Sequence, residues 1–357
     1  MTPNGRNRRT LDVLVIGGGQ SGLAIGRELE RAGRDFRILD GARSLGESWR
    51  QRWDSLRLFT PASMSALPGI AMPGAPDDFP GKDAVADYLA HYARAFSLPI
   101  GLDEPVRALT RESDGCFTAI TEQARYRARS VVVATGPFQS PVVPAIAQGL
   151  APSVRQLHST AYRNPRELPP GRVVVVGGGS SGVQIAADLA STHDVTVAVG
   201  RRYPRLPERL LGRSVFRWLD ASGAFTIPGD TWLGRRWRSR DLLIGEGPDE
   251  VAHRLGVQLA GRVTGAYARG LITHDGQQLP ADVVVWATGF RPRYDWLHVP
   301  VADARGMPQH VRGVTAIPGL YFLGLPWLHA RGSALLGWVA RDAHFLGNRI
   351  AQHLHAA

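Results

Sequence analysis

The chain has 357 residues, 44% hydrophobic and 20% charged, with 41 glycines; this is the make-up of a globular protein of about two domains and excludes a disordered or fibrous chain. A single cysteine, Cys116, excludes an internal disulfide, a CxxC redox pair and a cysteine-built metal site, and it suits a cytoplasmic protein. The net charge of +11 rests on arginines and one lysine, Lys82; scattered except for clusters such as Arg235, Arg236, Arg238 and Arg240, they read as a skew in residue usage and not as a nucleic-acid surface, and no apolar run approaches the ~18 residues of a membrane span.

The basic start RNRR is followed by too short an apolar run for a signal segment and reads as the lead into a buried strand. In DVLVIGGGQSGLAIGRELERAG that strand runs into Gly17, Gly19 and Gly22, and Leu23, Ile25 and Leu29 then fall at helical spacing. The first glycine permits the tight turn, the second lets backbone approach a pyrophosphate, and the third lets helix pack on strand. Gln20 and Ser21 open the helix, whose free N–H groups and partial positive charge favour phosphate. A second strand, 34–39, ends at Asp40, 23 residues beyond Gly17. A carboxylate there accepts hydrogen bonds from a ribose diol and repels a 2′-phosphate.

Residues 106–110, 117–121 and 124–129 predict a small antiparallel meander lying across the sheet. RARSVVVATGPF (127–138) is then a buried strand ending in Ala134-Thr135-Gly136, and NPRELPPG (164–171) a loop. RVVVVGGGSSG repeats the cradle with Gly177, Gly179 and Gly182, and Ser180 and Ser181 open its helix. The place of Asp40 is now held by Gly200, followed by Arg201 and Arg202, two guanidiniums suited to a 2′-phosphate. The second cradle therefore reads as an NADP site, with use of NADH left open. YPRLPERLLGR (203–213) reads as loop, and ADVVVWATGFRP (281–292) as a second buried strand, ending in Ala287-Thr288-Gly289. The stretch 319–347 predicts a strand, a polar loop, and a helix starting near Ser333. The cradle unit is the one internal duplication.

Two cradles, two ATG segments and no CxxC resemble the flavin-containing monooxygenase and Baeyer–Villiger monooxygenase group of flavoproteins, most of all its small bacterial CzcO-like members, over essentially the whole chain. GESWRQRWDSLRLFTP (46–61) resembles the group's flavin-lining Gly-x-x-Trp and Trp-Asp stretch, through Gly46, Trp49 and Trp53. LHSTAYRNP (157–165) resembles its H-x-x-x-(Y/F/W) segment. This chain departs from the group at Pro152 and Val154, where Phe-x-Gly is usual, and at Phe59 and Thr60, where an asparagine supports the oxygenated flavin. The arginine-bearing insertion of typical Baeyer–Villiger enzymes is not recognisable. These departures bear on the oxygenase step and not on the cofactors.

The resemblance implies an α/β fold of two Rossmann-like dinucleotide-binding domains, one for FAD and one for NADP, the second inserted in the first, with the small antiparallel β-meander. The FAD domain would comprise 1–152 and 286–357, and the NAD(P) domain 153–285. Val106, Gly324 and Ser333 join the flavin contacts, with the helix at Ser333 directed at the ring. Trp327, His329 and Arg331 line a substrate cleft, and Phe59, Thr60 and His329 are the catalytic candidates. His158 either touches NADP or stitches the domain junction. The cofactors are FAD and NADPH, the other reactants O2 and a small molecule, and a C4a-peroxyflavin passes one oxygen to sulfur or nitrogen or inserts it beside a ketone. No metal is expected, and a homodimer is left open. Two other functions stay open: an NADPH-dependent flavin reductase serving a quinone or ferredoxin, and a non-enzymatic redox-sensing flavoprotein.

Overall fold

The structure, a computed structural model, describes residues 9–239, 242–304 and 306–356; Arg240 of the arginine cluster and the basic start up to residue 8 lie outside them. Uninterrupted Val, Leu and Ile runs become the inner strands of two parallel sheets, because a strand covered on both faces can carry apolar residues at every position. In the first sheet the strand order is Ile100–Gly101, Phe36–Leu39, Thr10–Ile16, Arg125–Val133, Phe117–Ile120 and Ala108–Arg111, and Leu320–Phe322 also pairs with Arg125–Val133. Val15 lies in register with Ile38 on one side and Val132 on the other. Val13, Leu14 and Val15 are completely buried. Helix Gln20–Arg31 covers this sheet beside the C-terminal helix Val339–Ala356, tied to it where His344 Nδ1 meets Glu28 Oε2 at 2.9 Å.

The meander is present but is not a separate layer. Its third strand and the buried strand before the ATG are one element, Arg125–Val133, which pairs antiparallel with Phe117–Ile120 and parallel with Thr10–Ile16. Arg125 and Tyr126 pair with the antiparallel neighbour, Arg127 and Ala128 pair on both sides, and Val131–Val133 meet Leu14–Ile16 at the cradle end. Polar alternation near the start of the strand gives way to continuous apolar sequence near its end, and that change marks the passage from half-exposed to doubly covered sheet. The second strand of the cradle unit starts at Phe36 and not at Arg34.

The second sheet has the order Gln258–Ala260, Asp194–Ala198, Arg172–Val176, Val283–Trp286 and Arg155–His158, all parallel. A three-stranded antiparallel sheet, Val263–Tyr267, Gly270–Thr273 and Gln278–Pro280, leads into Val283–Trp286 much as the meander leads into Val131–Val133. The duplication is therefore deeper than the glycines: strand, cradle, helix, strand, antiparallel trio and ATG strand all recur. The architecture is α/β with two Rossmann-like halves, as the sequence predicts.

The chain passes between the sheets twice, and the two crossings pair antiparallel at Ser140–Pro141 and Phe290–Arg291. Segment 53–57 gives a third tie. Trp53 and Leu56 are buried with Val183, Ile185 and Val283 in the second sheet's core. Arg57 N–H donates to Gln184 Oε1 (3.3 Å), and Gln184 Nε2 donates back to the Arg57 carbonyl (3.1 Å).

Residues 203–239 and 242–247 form an irregular excursion. Its helix Val215–Ala221 brings Phe216 between Phe59 and Phe225, with ring centroids 5.6 and 5.2 Å apart. Trp338 closes the cluster at 4.6 Å from Phe225 and donates from Nε1 to Asp220 (2.8 Å). Among the described residues no helix is long and apolar enough to cross a membrane, and no group of three or more His, Cys, Asp or Glu could hold a metal ion.

Candidate cofactor cleft

The two cradles have the same backbone geometry. Gly17 and Gly177 adopt φ of +109° and +126°, a region that side chains avoid. A Cβ on Gly17 would stand 2.6 Å from the Ala134 carbonyl oxygen, and one on Gly177 2.3 Å from that of Ala287. Each ATG segment thus backs directly onto the first glycine of its cradle. A Cβ on Gly22 would lie 1.8 Å from the Gly17 oxygen, and one on Gly182 1.9 Å from the Gly177 oxygen, so the helices can approach only as glycine. Gly19 and Gly179 have nothing within 4 Å of a Cβ position. They are the open faces where phosphate can come down on backbone, and the two cradles fit a dinucleotide each.

Beyond their glycines the cradles differ. Asp40 Oδ2 accepts from the Gly18 N–H and Oδ1 from the Ala42 N–H (2.8 Å), which fixes the carboxylate beside the first cradle. At the second cradle Arg201 donates to the Ser239 carbonyl (3.0 Å) and lies over the Tyr203 ring, while Arg202 forms an exposed ion pair with Asp249 (3.3 Å). Both guanidiniums sit at the end of strand Asp194–Ala198.

The crossings draw the ATG segments together. Val142 N–H donates to the Gly289 carbonyl (3.0 Å), Thr288 Oγ1 donates to the Val142 carbonyl, and Gln139 Nε2 donates to Thr135 Oγ1 (2.9 Å) and the Gly136 carbonyl (2.7 Å). His158 joins this network. Its Nδ1 accepts from the Thr160 N–H (3.2 Å), so the proton is on Nε2, which donates to the Gly289 carbonyl (3.1 Å). Burial, and secondarily Arg52, hold its pKa below the ordinary value. These bonds engage both ring nitrogens of His158 in the domain junction.

On the side of the first cradle, Gly324 has φ +81° and comes so near Ser21 that a Cβ would meet its Oγ at 2.1 Å. Gln20 Nε2 donates to the Ala334 carbonyl (2.8 Å), which ties the start of the first cradle helix to the C-terminal loop. Ser333 does not start a long helix. It lies in the 3-10 turn Arg331–Ala334, where its Oγ accepts from the N–H groups of His329 (3.1 Å) and Ala330 (3.0 Å). The chain then extends at Leu335, and the helix begins at Val339. The cause is packing: Gly337 passes so close to the Met64 carbonyl that a Cβ would meet its oxygen at 2.1 Å.

The remaining predicted residues lie in different surroundings. Gly46 (φ +75°) lies against Ala86 of helix Lys82–Ala95, Trp49 is half-buried between the two main cores, and Val106 packs on the first core before strand Ala108–Arg111. Trp53 departs from its neighbours: its ring is 4% exposed and taken up by the second core. Phe59 stacks in the aromatic cluster, but Thr60 is buried and its hydroxyl pairs with Ser65 Oγ (2.8 Å). His329 is half-exposed, and burial, then Arg312, lower its pKa, so the imidazole is neutral at pH 7. Phe216, Phe225 and Trp338, which complete the wall around Phe59, give no local signal in the sequence.

The profile of the pyridine nucleotide-disulphide oxidoreductase family matches residues 14–208. The CzcO-like oxidoreductase of Geobacillus kaustophilus is 41% identical over 345 residues, covering 96% of this chain and 99% of that protein. Among solved structures, the flavin-containing monooxygenase of Stenotrophomonas maltophilia superposes with a TM-score of 0.81 at 29% identity, covering 96% of this chain and 99% of that one. OTEMO in complex with FAD and NADP superposes with a TM-score of 0.70 at 16% identity, over 97% and 86%, a likeness of fold. Set beside the paired cradles, these similarities show that the chain belongs to the pyridine nucleotide-disulphide oxidoreductase family, within its group of FAD- and NAD(P)H-dependent flavin monooxygenases.

Proposed function

We propose that the protein uses NADPH and O2 to place one oxygen atom on a small organic substrate, at sulfur or nitrogen or beside a ketone carbonyl. The observation that carries the reading is the contrast between equivalent cradles, one followed by Asp40 and the other by Gly200-Arg201-Arg202. On this reading the flavin belongs to residues 1–152 and 286–357 and the nicotinamide nucleotide to 153–285, in support of which the first sheet uses strands up to Val133 and again from Leu320, and the second uses only strands between Arg155 and Trp286. The lone, half-buried Cys116 supports a cytoplasmic setting.

The flavin, when bound, supplies hydride acceptance and reaction with O2. The chain supplies position and dryness. Gly17, Gly19, Gln20, Ser21 and Gly22, with Asp40, hold one dinucleotide, and Gly177, Gly179, Ser180, Ser181 and Gly182 hold the other, against Ala134-Thr135-Gly136 and Ala287-Thr288-Gly289. Phe59, Phe216, Phe225 and Trp338 form an apolar wall that keeps water from the reacting centre. Thr60, its hydroxyl engaged by Ser65, holds Phe59 in place, and the neutral His329 is the candidate proton acceptor.

The test is turnover of NADPH under 18O2 with a thioether, a tertiary amine and a cyclic ketone. NADPH, a proton, O2 and substrate should give NADP+, water and a product carrying one 18O per NADPH. Stoichiometric H2O2 with no labelled product from any substrate would overturn the proposal in favour of a reductase. Arg201→Ala should raise the KM for NADPH about tenfold while leaving that for NADH nearly unchanged, since only NADPH carries the 2′-phosphate. Equal effects on the two would refute that contact.

A further inference from the structure

Arg52 lies at the seam of the two units. Its Nε donates to the Ser48 carbonyl (3.1 Å), and its guanidinium lies over the ring of Phe290, 5.2 Å from the centroid. Phe290 in turn meets the edge of His158, and it directly follows Gly289 of the second ATG segment. Among the described residues no carboxylate pairs with Arg52. Asp54, two residues on, is held by Lys82 Nζ (3.5 Å) and by Asn164 Nδ2 (2.9 Å). The nearby charge is of the same sign: Arg163, which spends its Nη1 on the carbonyls of Thr160 (2.7 Å) and Tyr162 (3.1 Å). Burial first, then Arg163, disfavours the charged form of Arg52. A half-buried cation with a like-charged neighbour and no counter-ion is arranged for an anion from outside.

We propose that Arg52 binds the diphosphate of the nicotinamide nucleotide, a contact separate from the one assigned to Arg201 and Arg202. Its position is set by the elements on either side. Residues 53–57 are fastened to helix Ser180–Leu189 by the Arg57–Gln184 pair and by the packing of Trp53 and Leu56 against Val183. That helix begins at the second cradle, where a diphosphate meets free N–H groups. On the other side, Phe290 belongs to the segment whose Ala287 backs onto Gly177. Arg52 is bracketed by the two elements that bound the second cradle, whereas Arg201 and Arg202 stand at the end of the next strand. The flat guanidinium can stack on Phe290 and still present two N–H groups to phosphate oxygens, which an ammonium cannot do.

The inference rests on the second cradle holding a nicotinamide nucleotide, and the experiment separates the two. Calorimetric Kd values for NADP+ and NAD+ are measured on flavin-loaded wild type, Arg52→Gln, Arg52→Lys and Arg201→Ala. Arg52→Gln is expected to weaken both nucleotides about tenfold, leaving their ratio and the flavin content unchanged. Arg52→Lys, which keeps charge but not the planar fork, should fall between and covers the case in which the glutamine variant does not fold. Arg201→Ala should change the ratio instead. Unchanged affinities, a loss confined to NADP+, or loss of flavin from the Arg52 variants would each overturn the assignment. Wild type that binds neither nucleotide would sink the reading of the cradle itself.

Discussion

Replacing Gly22 by alanine is expected to give protein that purifies without flavin. The added Cβ would stand 1.8 Å from the Gly17 carbonyl oxygen, and because both atoms belong to or hang directly on backbone, no side-chain rotation relieves the overlap. Helix Gln20–Arg31 must move off strand Thr10–Ile16, which opens the cradle and disturbs the core around Leu23 and Ile25. Gly19→Ala is the control. Its Cβ meets nothing within 4 Å, so the protein should fold at a cost of about 1 kcal/mol for the weaker helix cap, yet bind FAD poorly because the methyl fills the space a phosphate needs. Flavin absorbance per mole of purified protein, with a denaturation midpoint for each variant, distinguishes them. A Gly22→Ala protein with its full complement of FAD would contradict the cradle geometry.

Trp53→Ala should destabilise the fold strongly, by about 3–5 kcal/mol, the usual effect of emptying a buried aromatic site. The ring comes from the chain of the first unit but fills the core of the second, among Tyr162, Val173, Val183 and Val283. The variant therefore loses packing inside one unit and a fastening between the two at once. Trp53→Phe keeps most of the volume and should recover most of the stability while retaining flavin. If Trp53 instead served mainly to line the flavin, the alanine variant would keep its denaturation midpoint and lose FAD, the opposite pattern.

The cradles are legible in the sequence because backbone geometry demands their residues. A left-handed φ at Gly17 and the passage of a helix over Gly22 leave glycine as the one residue that fits, so chemistry and spacing appear together. The ATG segments are legible for the same reason. Ser333 misleads because a serine ahead of an apolar run looks like a helix cap, whereas its hydroxyl caps a single 3-10 turn and the chain must straighten to clear Met64. Nothing local in GESWRQRWD reveals that Trp49 lies between the cores while Trp53 enters the second, since the pocket for Trp53 is built by residues more than 100 positions away. The aromatic wall has the same origin: Phe59, Phe216, Phe225 and Trp338 meet across the whole chain. Lys82 reads in the sequence as the remnant of a skewed residue usage. It is in fact 9% exposed, with its ammonium facing the Arg50 carbonyl, Asp54 and Asp83, a niche that suits a compact point charge better than a guanidinium fork.

The order in which the strands leave the ribosome differs from the order in which the two sheets can be completed. When synthesis has reached Trp286 the second sheet possesses all five of its strands. The first sheet, although begun at Thr10, still lacks Leu320–Phe322 and the helix Val339–Ala356 that lies beside Gln20–Arg31. The half that starts first is thus the half that finishes last, and its early strands must wait, partly uncovered, while the later half closes. A single cut in the chain cannot release the first half intact, and a nascent chain that stops short of Leu320 carries a complete nucleotide half joined to an open one.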